Sequence, residues 1–199
     1  MNYAPIRKAL RWFDEQLLRV RQYQVRQGKP LCLSCTKGCS ACCSEQVILT
    51  DAEVGLIMDG MSEDDREALK KKVWIWLAKA QLADVNPLVD ISKPHQFLAI
   101  DYRRLQMPCP LLTDQGLCSV YDRRPLSCRE FMTGGDPADC ADLDKRERQK
   151  YVTIVELFDA ARTNLLNATK EAGFEGIRVS HLGFLLAIEL GLLEEDQVT

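Results

Sequence analysis

The chain has 199 residues, enough for one domain with a sizeable hydrophobic core, and 46% of them are apolar. Its formal net charge of -3 and isoelectric point near 5.5 exclude a strongly basic protein, so we expect no nucleic-acid partner. The amino-terminal stretch mixes charged with apolar residues, unlike a secretory signal. No apolar run approaches the ~18 residues of a membrane span, so we expect a cytoplasmic protein.

The first predicted element is an amphipathic helix over residues 5–27, which Gly28 and Pro30 bring to an end. Its apolar residues recur at alternating spacings of four and three. The opposite face is basic, which favours a solvated surface; an acidic partner or a membrane surface is the alternative. The apolar residues are Ile6, Leu10, Phe13, Leu17 and Val20, and the basic ones are Arg7, Lys8, Arg11, Arg19 and Arg26.

Two capped helices are predicted next. Residues 47–49 indicate a short strand leading into Thr50, which together with Glu53 has the spacing of a capping box. That helix is expected to end near Met58, and Ser62 predicts the start of another. The predicted buried stripe of this second helix is Leu69, Val73, Trp76, Leu77 and Ala80. Trp74 and Trp76 are predicted to pack in the core or at its edge; a ligand platform is the alternative.

The region from residue 86 to residue 140 lacks the periodicity of long helices or strands. Prolines and glycines interrupt it, so residues 86–101 are interpreted as connecting structure. Residues 105–140 are interpreted as an irregular segment, with a small hairpin between residues 111–112 and 119–121. Such a segment buries little apolar surface, and metal ligation is a substitute source of stability.

The carboxy-terminal part predicts two further helices. A continuous apolar stripe predicts one long helix over residues 142–172, and Ser180 predicts the cap of a final helix through Leu190. The expected fold class is mainly α.

We therefore expect a single helical domain with an irregular cysteine-rich metal-binding region and a small β-hairpin. Within this domain, residues 1–30 would form an amino-terminal helix. Residues 31–140 would form a cysteine-cluster core with a helical insertion, and residues 141–199 would form helices that pack on this core.

The nine cysteines fall into two groups. One contains Cys32, Cys35, Cys39, Cys42 and Cys43, and the other contains Cys109, Cys118, Cys128 and Cys140. Because thiols stay reduced in the cytosol, this density favours a metal site over a disulfide framework. Two-residue gaps allow successive thiolates to converge on one Zn²⁺ ion or iron-sulfur cluster. Buried inert thiols, or a redox disulfide between Cys32 and Cys35, are the alternatives.

The adjacent pair Cys42 and Cys43 is unusual, because neighbouring side chains in extended backbone point apart. Either one serves a first centre and its neighbour a second, or one of them packs in the core.

Three stretches, CTKGCSACC, PCPLLTDQGLCSVYDRRPLSCREF and the trailing Cys140, resemble the YkgJ-type cysteine-cluster family, described as zinc- or iron-chelating. The resemblance covers roughly residues 35–140. It implies that the cysteines hold zinc or iron, including a [4Fe-4S] cluster, and it makes Cys32 the extra cysteine. The metal ligands that it implies are Cys35, Cys39, Cys42, Cys43, Cys109, Cys118, Cys128 and Cys140.

The resemblance implies two functional hypotheses. The first is a metal-binding protein whose centre is structural or whose metal is its cargo, with a metal ion and a protein as partners. The second is an iron-sulfur enzyme such as a methyltransferase, because the family includes proteins resembling flagellin lysine N-methylases. S-adenosylmethionine is a cofactor only in the second hypothesis. The chain has no obvious glycine-rich loop for it, so the resemblance does not carry the methyltransferase activity over to this chain.

Two arginines, Arg124 and Arg129, lie within a few residues of Cys128. We expect them to offset the negative charge of a thiolate centre; an anion or cofactor site beside that centre is the alternative. Tyr121 and Phe131 are expected to pack over the centre.

The two histidines, His95 and His181, are not predicted to bind metal. His95 lies in the connecting structure, and His181 lies near the predicted start of an apolar helix.

Overall fold

The computed structural model describes residues 1–29, 33, 35–83, 85, 105–134, 136, 139–140, 142–146 and 152–194. The mainly α fold class is confirmed, with one small antiparallel sheet. The elements are α1 (Ala4–Arg26), β1 (Ile48–Thr50), α2 (Asp51–Met58), α3 (Glu63–Leu82), α4 (Leu126–Glu130), α5 (Leu143–Arg146), α6 (Val155–Glu171), β2 (Val179–His181) and α7 (Leu182–Glu189). None of the described helices is long and apolar enough to cross a membrane.

The predicted amino-terminal helix is confirmed as α1. Ile6, Leu10 and Phe13 are buried against α6, and the rings of Phe13 and Phe158 lie 5.9 Å apart. Each buried side chain of this kind contributes about 1.5–3 kcal/mol of transfer free energy. After the helix, Gly28 adopts a positive φ of 67°, a conformation that glycine reaches without strain.

The capping box between Thr50 and Glu53 is also confirmed. The Thr50 hydroxyl accepts a hydrogen bond from the Glu53 amide (3.2 Å), and the Glu53 carboxylate accepts one from the Thr50 amide (2.9 Å). The second carboxylate oxygen of Glu53 accepts a bond from the Leu126 amide at the start of α4 (2.8 Å). One buried side chain therefore fixes the starts of two helices.

The small sheet places two apolar helices at the centre of the fold. β1 and β2 pair antiparallel, with Ile48 opposite His181 and Thr50 opposite Val179. α2 follows β1 directly and α7 follows β2 directly, so the sheet brings both helices to one place. Both are buried almost all round, and α7 packs against α2 and α3.

The prediction that Ser180 caps the last helix is wrong. Ser180 lies inside β2 opposite Leu49, and the residue before α7 is His181, which makes no capping side-chain bond. The first amide of α7, at Leu182, instead donates to the carbonyl of Val47 (2.9 Å). Pairing with a distant strand therefore replaces the local cap.

The prediction of one continuous helix over residues 142–172 is also wrong. Asp142 does cap a helix, because its carboxylate accepts from the amides of Asp144 and Lys145, but α5 ends at Arg146. Residues 152–154 are not helical, and the Val152 amide donates to the Met132 carbonyl (2.9 Å). All three of these residues are β-branched, which lowers helix propensity, and the tertiary bond takes the amide that a helix would need.

The predicted buried stripe of α3 is buried, except that Leu77 is half-buried. Trp74, which is outside that stripe, is exposed. The prediction that Trp74 packs in the core or at its edge is wrong: Trp74 lies two residues before the buried Trp76, and two residues turn a helix by about 200°.

The predicted hairpin near residue 115 is reduced to one antiparallel bridge between Leu112 and Cys118. The predicted connector at residues 86–101 lies outside the described residues.

We expect Gly183→Ala to destabilise the protein. A Cβ at position 183 would lie closer than 3.0 Å to the Trp76 ring, where α3 and α7 meet. Helix propensity favours alanine by about 1 kcal/mol, but overpacking costs about 1–3 kcal/mol and should outweigh it. Thermal unfolding measures the difference against Gly176→Ala, where a Cβ meets nothing within 4 Å. Equal melting temperatures would contradict the packing described.

We expect Glu53→Gln to cost about 1–3 kcal/mol, because an amide has one acceptor oxygen where the carboxylate uses two. Denaturant unfolding is the measurement, and Glu67→Gln on the exposed side of α3 is the matched control. A loss no larger than that of the control would show that Glu53 does not join the two helices.

Candidate metal centre

The first cysteine segment, residues 35–46, is built from successive turns. The Cys39 amide donates to the Thr36 carbonyl (3.1 Å), and the Cys43 amide donates to the Ser40 carbonyl (2.9 Å). Gly38 adopts a φ of 96° within these turns. Tight turns keep the cysteines close in space without regular secondary structure.

A backbone hydrogen bond joins the two cysteine groups. The Cys109 amide donates to the Cys43 carbonyl across 2.7 Å. The bridge between Leu112 and Cys118 then returns the chain, and the Cys118 thiol is one of the groups that raise the pKa of Cys109. Cys128 is added by α4, whose start is fixed by Glu53.

Four thiols form one electrostatic group, which we call the four-thiol group: Cys42, Cys109, Cys118 and Cys128. Burial raises the pKa of the Cys109 thiol to about 12, with smaller contributions from Cys118 and Cys42. Burial also raises the pKa of Cys128 well above its usual value, and the thiols of Cys109, Cys42 and Cys118 add to that rise. The pKa of Cys118 is raised by burial and, to a smaller degree, by Cys42. Three separate segments therefore bring their thiols together.

The four-thiol group is not a finished ligand set. Within the described residues, no three Cys, His, Asp or Glu side chains are arranged to hold a metal ion. The donor chemistry nevertheless fits zinc or iron, because both are bound by clustered thiolates.

Arg124 is the cation beside the four-thiol group. Its positive charge lowers the pKa of Cys118 and of Cys128, opposing the effect of burial. Its guanidinium carbon lies 4.3 Å from the centre of the Tyr121 ring. Its Nε is buried and, within the described residues, has no hydrogen-bond partner. Since an unpaired buried donor is unfavourable by about 1–3 kcal/mol, this nitrogen fits a site where thiolates supply an acceptor.

Arg129 has different partners. Its side chain is buried; Nε donates to the Arg124 carbonyl (2.9 Å), and Nη2 donates to the Asp122 carbonyl (2.9 Å). Nη1 pairs with the carboxylate of Asp14 from α1. These bonds go to oxygen rather than to sulfur, so Arg129 holds the turn that presents Arg124 to the thiols.

A second, smaller cysteine cluster lies around Thr133. Its hydroxyl lies 3.9 Å from the sulfur of Cys35 and 3.6 Å from the sulfur of Cys140. The Cys35 thiol also donates to the Phe131 carbonyl at 3.7 Å. The sequence pattern did not single out Thr133, since a lone threonine carries no ligand signal.

The two remaining cysteines of the resemblance, Cys39 and Cys43, are not among the thiols that shift the pKa values of the four-thiol group. Cys39 is exposed and Cys43 is half-buried. Cys32 and His95 lie outside the described residues.

His181 has a structural environment. It is buried in β2, and the Gln46 amide nitrogen lies 2.8 Å from its Nε2. Its ring meets Phe184 edge-on, with the centroids 5.9 Å apart.

Comparison with known proteins decides the family. A family model described as "CxxCxxCC: Putative zinc- or iron-chelating domain" matches residues 34–154. The chain belongs to the CxxCxxCC family. The matched range contains the four-thiol group and the Cys35–Cys140 cluster, and it begins after Cys32. A search of curated proteins found no match to the chain, and a search of solved structures found none either. Metal chelation is thus the function that the family description names.

The raised thiol pKa values predict metal binding that strengthens with pH. A thiol with a pKa near 12 is protonated at pH 7, whereas a metal binds the thiolate, so each ligand loses one proton on binding. We expect about four protons released per Zn²⁺ ion near pH 7 and an affinity that rises steeply between about pH 6 and pH 8. Calorimetry in buffers of different ionisation enthalpy measures the protons. Release of about one proton or none would contradict a four-thiol ligand set.

Proposed function

We propose that this protein binds one zinc or iron ion through the thiols of Cys42, Cys109, Cys118 and Cys128. The observation that carries the proposal is the backbone hydrogen bond from the Cys109 amide to the Cys43 carbonyl, which joins the two cysteine groups. The effects of the four thiols on one another's pKa values support it. Tetrahedral coordination by four thiolates is the usual structural site for zinc and is equally suited to iron.

The surroundings of the four-thiol group supply a physical reason for metal binding. The segments that carry it contain turns, one bridge, a three-residue 3-10 helix (Tyr121–Arg123) and the five-residue helix α4. Such segments gain little from their own secondary structure, and a metal ion that joins them contributes its binding free energy to folding. Because the thiols are neighbours without a finished geometry, we expect binding to be coupled to local rearrangement.

The adjacent cysteines Cys42 and Cys43 have different roles in this proposal. Cys42 contributes its thiol to the group, whereas the carbonyl of Cys43 holds the Cys109 amide. We propose a second centre for the remaining cysteines of the resemblance, Cys35, Cys39, Cys43 and Cys140. The shared contact of Cys35 and Cys140 with Thr133 supports it.

Arg124 completes the proposed centre as its charge partner. Four thiolates around a divalent ion leave about two negative charges, and a nearby guanidinium offsets them. The buried Nε of Arg124 and its effect on the pKa values of two thiols support this role. Arg129 supports it indirectly, because it holds the Arg124 carbonyl.

The iron-sulfur enzyme remains the second hypothesis from the resemblance, and the described cavities do not favour it. Two cavities of about 340 Å³ lie in the described part of the chain. One of them has Cys109 in its wall, but neither is lined by Arg124 or Arg129. An anionic cofactor held by these two arginines would need a cavity that they line. We therefore propose metal binding itself as the function.

The test is metal content and colour after purification without oxygen. We expect about one or two metal ions per chain, and we expect Cys42→Ser, Cys109→Ser, Cys118→Ser or Cys128→Ser each to lower both metal content and melting temperature. Cys32→Ser is the matched control, because the family match begins after it. Unchanged metal content in all four variants would overturn the assignment. A brown protein with about four irons would replace the single ion by an iron-sulfur cluster.

We expect Arg124→Met to weaken metal affinity by about 10–100-fold, as outer-sphere partners of metal ligands commonly do. Lys37→Met is the control, because Lys37 approaches the same Tyr121 ring (5.2 Å) but is exposed. Competition with a chromophoric chelator measures both affinities. If both variants bind as the parent protein does, Arg124 is not the charge partner.

A further inference from the structure

The outer face of α3 is apolar and basic. Between Ala68 and Ala83 the helix has four lysines and no acidic residue. Trp74 is 62% exposed, Ile75 57% and Leu82 89%. Trp74, Ala78 and Leu82 are four residues apart, so they lie on one face of the helix, and Ile75 adjoins Trp74. We call Trp74, Ile75, Ala78 and Leu82 the α3 ridge. Contiguous exposed apolar side chains of this size indicate a contact surface, unlike scattered single ones.

A groove runs beside the α3 ridge. It has a volume of about 340 Å³ and lies between α3 and the segment of residues 107–116. Its lining is mostly apolar, with two lysines at the α3 side and one carboxylate, that of Asp114, on the opposite side. The lining residues that matter here are Ile75, Trp76, Met107, Pro108, Lys72 and Lys79. A groove of this size receives an apolar side chain from a partner.

The lysines beside the α3 ridge indicate the charge of the partner. Lys72 is engaged, because it donates to the Leu112 carbonyl (2.6 Å) and pairs with Asp114 (3.6 Å). Lys71 and Lys79 are exposed, and among the described residues neither makes an ion pair. A complementary surface would carry carboxylates beside apolar side chains.

We propose that the α3 ridge and its groove dock an acidic amphipathic segment of a protein partner. Apolar side chains of the segment cover Trp74 and Ile75 and fill the groove, and its carboxylates pair with Lys71 and Lys79. The groove favours a peptide over a lipid surface, because a concave pocket takes an inserted side chain whereas a bilayer meets a flat or convex face. The inference goes beyond metal binding and does not depend on it.

The docking surface lies next to the four-thiol group. Cys109 is part of the groove wall, and Lys72 binds the carbonyl of Leu112, which pairs with Cys118. A partner seated in the groove therefore contacts the segment that carries two of the four thiols.

The test uses two fluorescent helical peptides of about 18 residues that share leucines at i, i+3, i+4 and i+7. One carries glutamates at the remaining positions and the other lysines. We expect saturable binding of the acidic peptide alone, weakened about tenfold or more by Ile75→Glu and about threefold or more by Lys79→Glu. The matched controls are Leu166→Glu and Lys170→Glu, an exposed apolar and basic pair with the same spacing on α6.

Three outcomes would overturn the proposal. The first is no saturable binding of the acidic peptide, and the second is equal loss in the α6 control variants. The third is binding only to vesicles with about 30% phosphatidylserine, which would make the ridge a membrane contact. The substituted residues are exposed, so we expect the variants to fold. Unchanged melting temperatures would show that they do. The peptide titration is repeated on the Cys128→Ser variant under conditions where this variant stays folded. We expect the variant to bind the acidic peptide, which separates docking from metal binding.

Discussion

The buried carboxylate of Glu53 is the constraint on which the arrangement of helices and cysteines depends. Its oxygens accept hydrogen bonds from the Thr50 hydroxyl and from the amides of Thr50 and Leu126, so it holds the starts of α2 and α4 together. Burial raises the pKa of this carboxyl, and the hydrogen bonds from Leu126 and Thr50 and the charge of Arg129 oppose that rise. Since Cys128 lies in the first turn of α4, the same bonds set the position of one thiol of the centre.

The hydrophobic core and the cysteines are parts of one structure. Cys109 and Cys118 pack against the core formed by α2, α3 and α7, while Cys42 comes from a segment of turns that a backbone hydrogen bond joins to Cys109. The thiols are therefore shielded from water on one side and supported by little secondary structure on the other. A metal ion bound there would link the turns to the core, which explains why metal binding and stability are expected to change together.

α3 connects this centre to the surface. Its inner face places Trp76 against Gly183 and Phe184 of α7, with the rings of Trp76 and Phe184 5.1 Å apart. The apolar ridge is on its outer face, and Lys72 at the border holds the Leu112 carbonyl near the thiols. The proposed docking surface and the proposed metal centre thus share one helix and one loop.

The sequence by itself determined the features that depend on local chemistry: α1, the capping box of Thr50 and Glu53, the start of α3, the cysteine family and the mainly α class. It did not reveal that Ser180 lies in a strand, that residues 152–154 leave the helix, or that Trp74 faces outwards. Those outcomes depend on partners far along the chain, such as Leu49 for Ser180 and Met132 for Val152. Likewise, spacing identified the cysteines, but only tertiary structure grouped Cys42 with Cys109, Cys118 and Cys128. The reason is that caps and helical repeats act within a few residues. Strand pairing, burial and thiol clustering instead join residues whose separation in the sequence does not predict their contact.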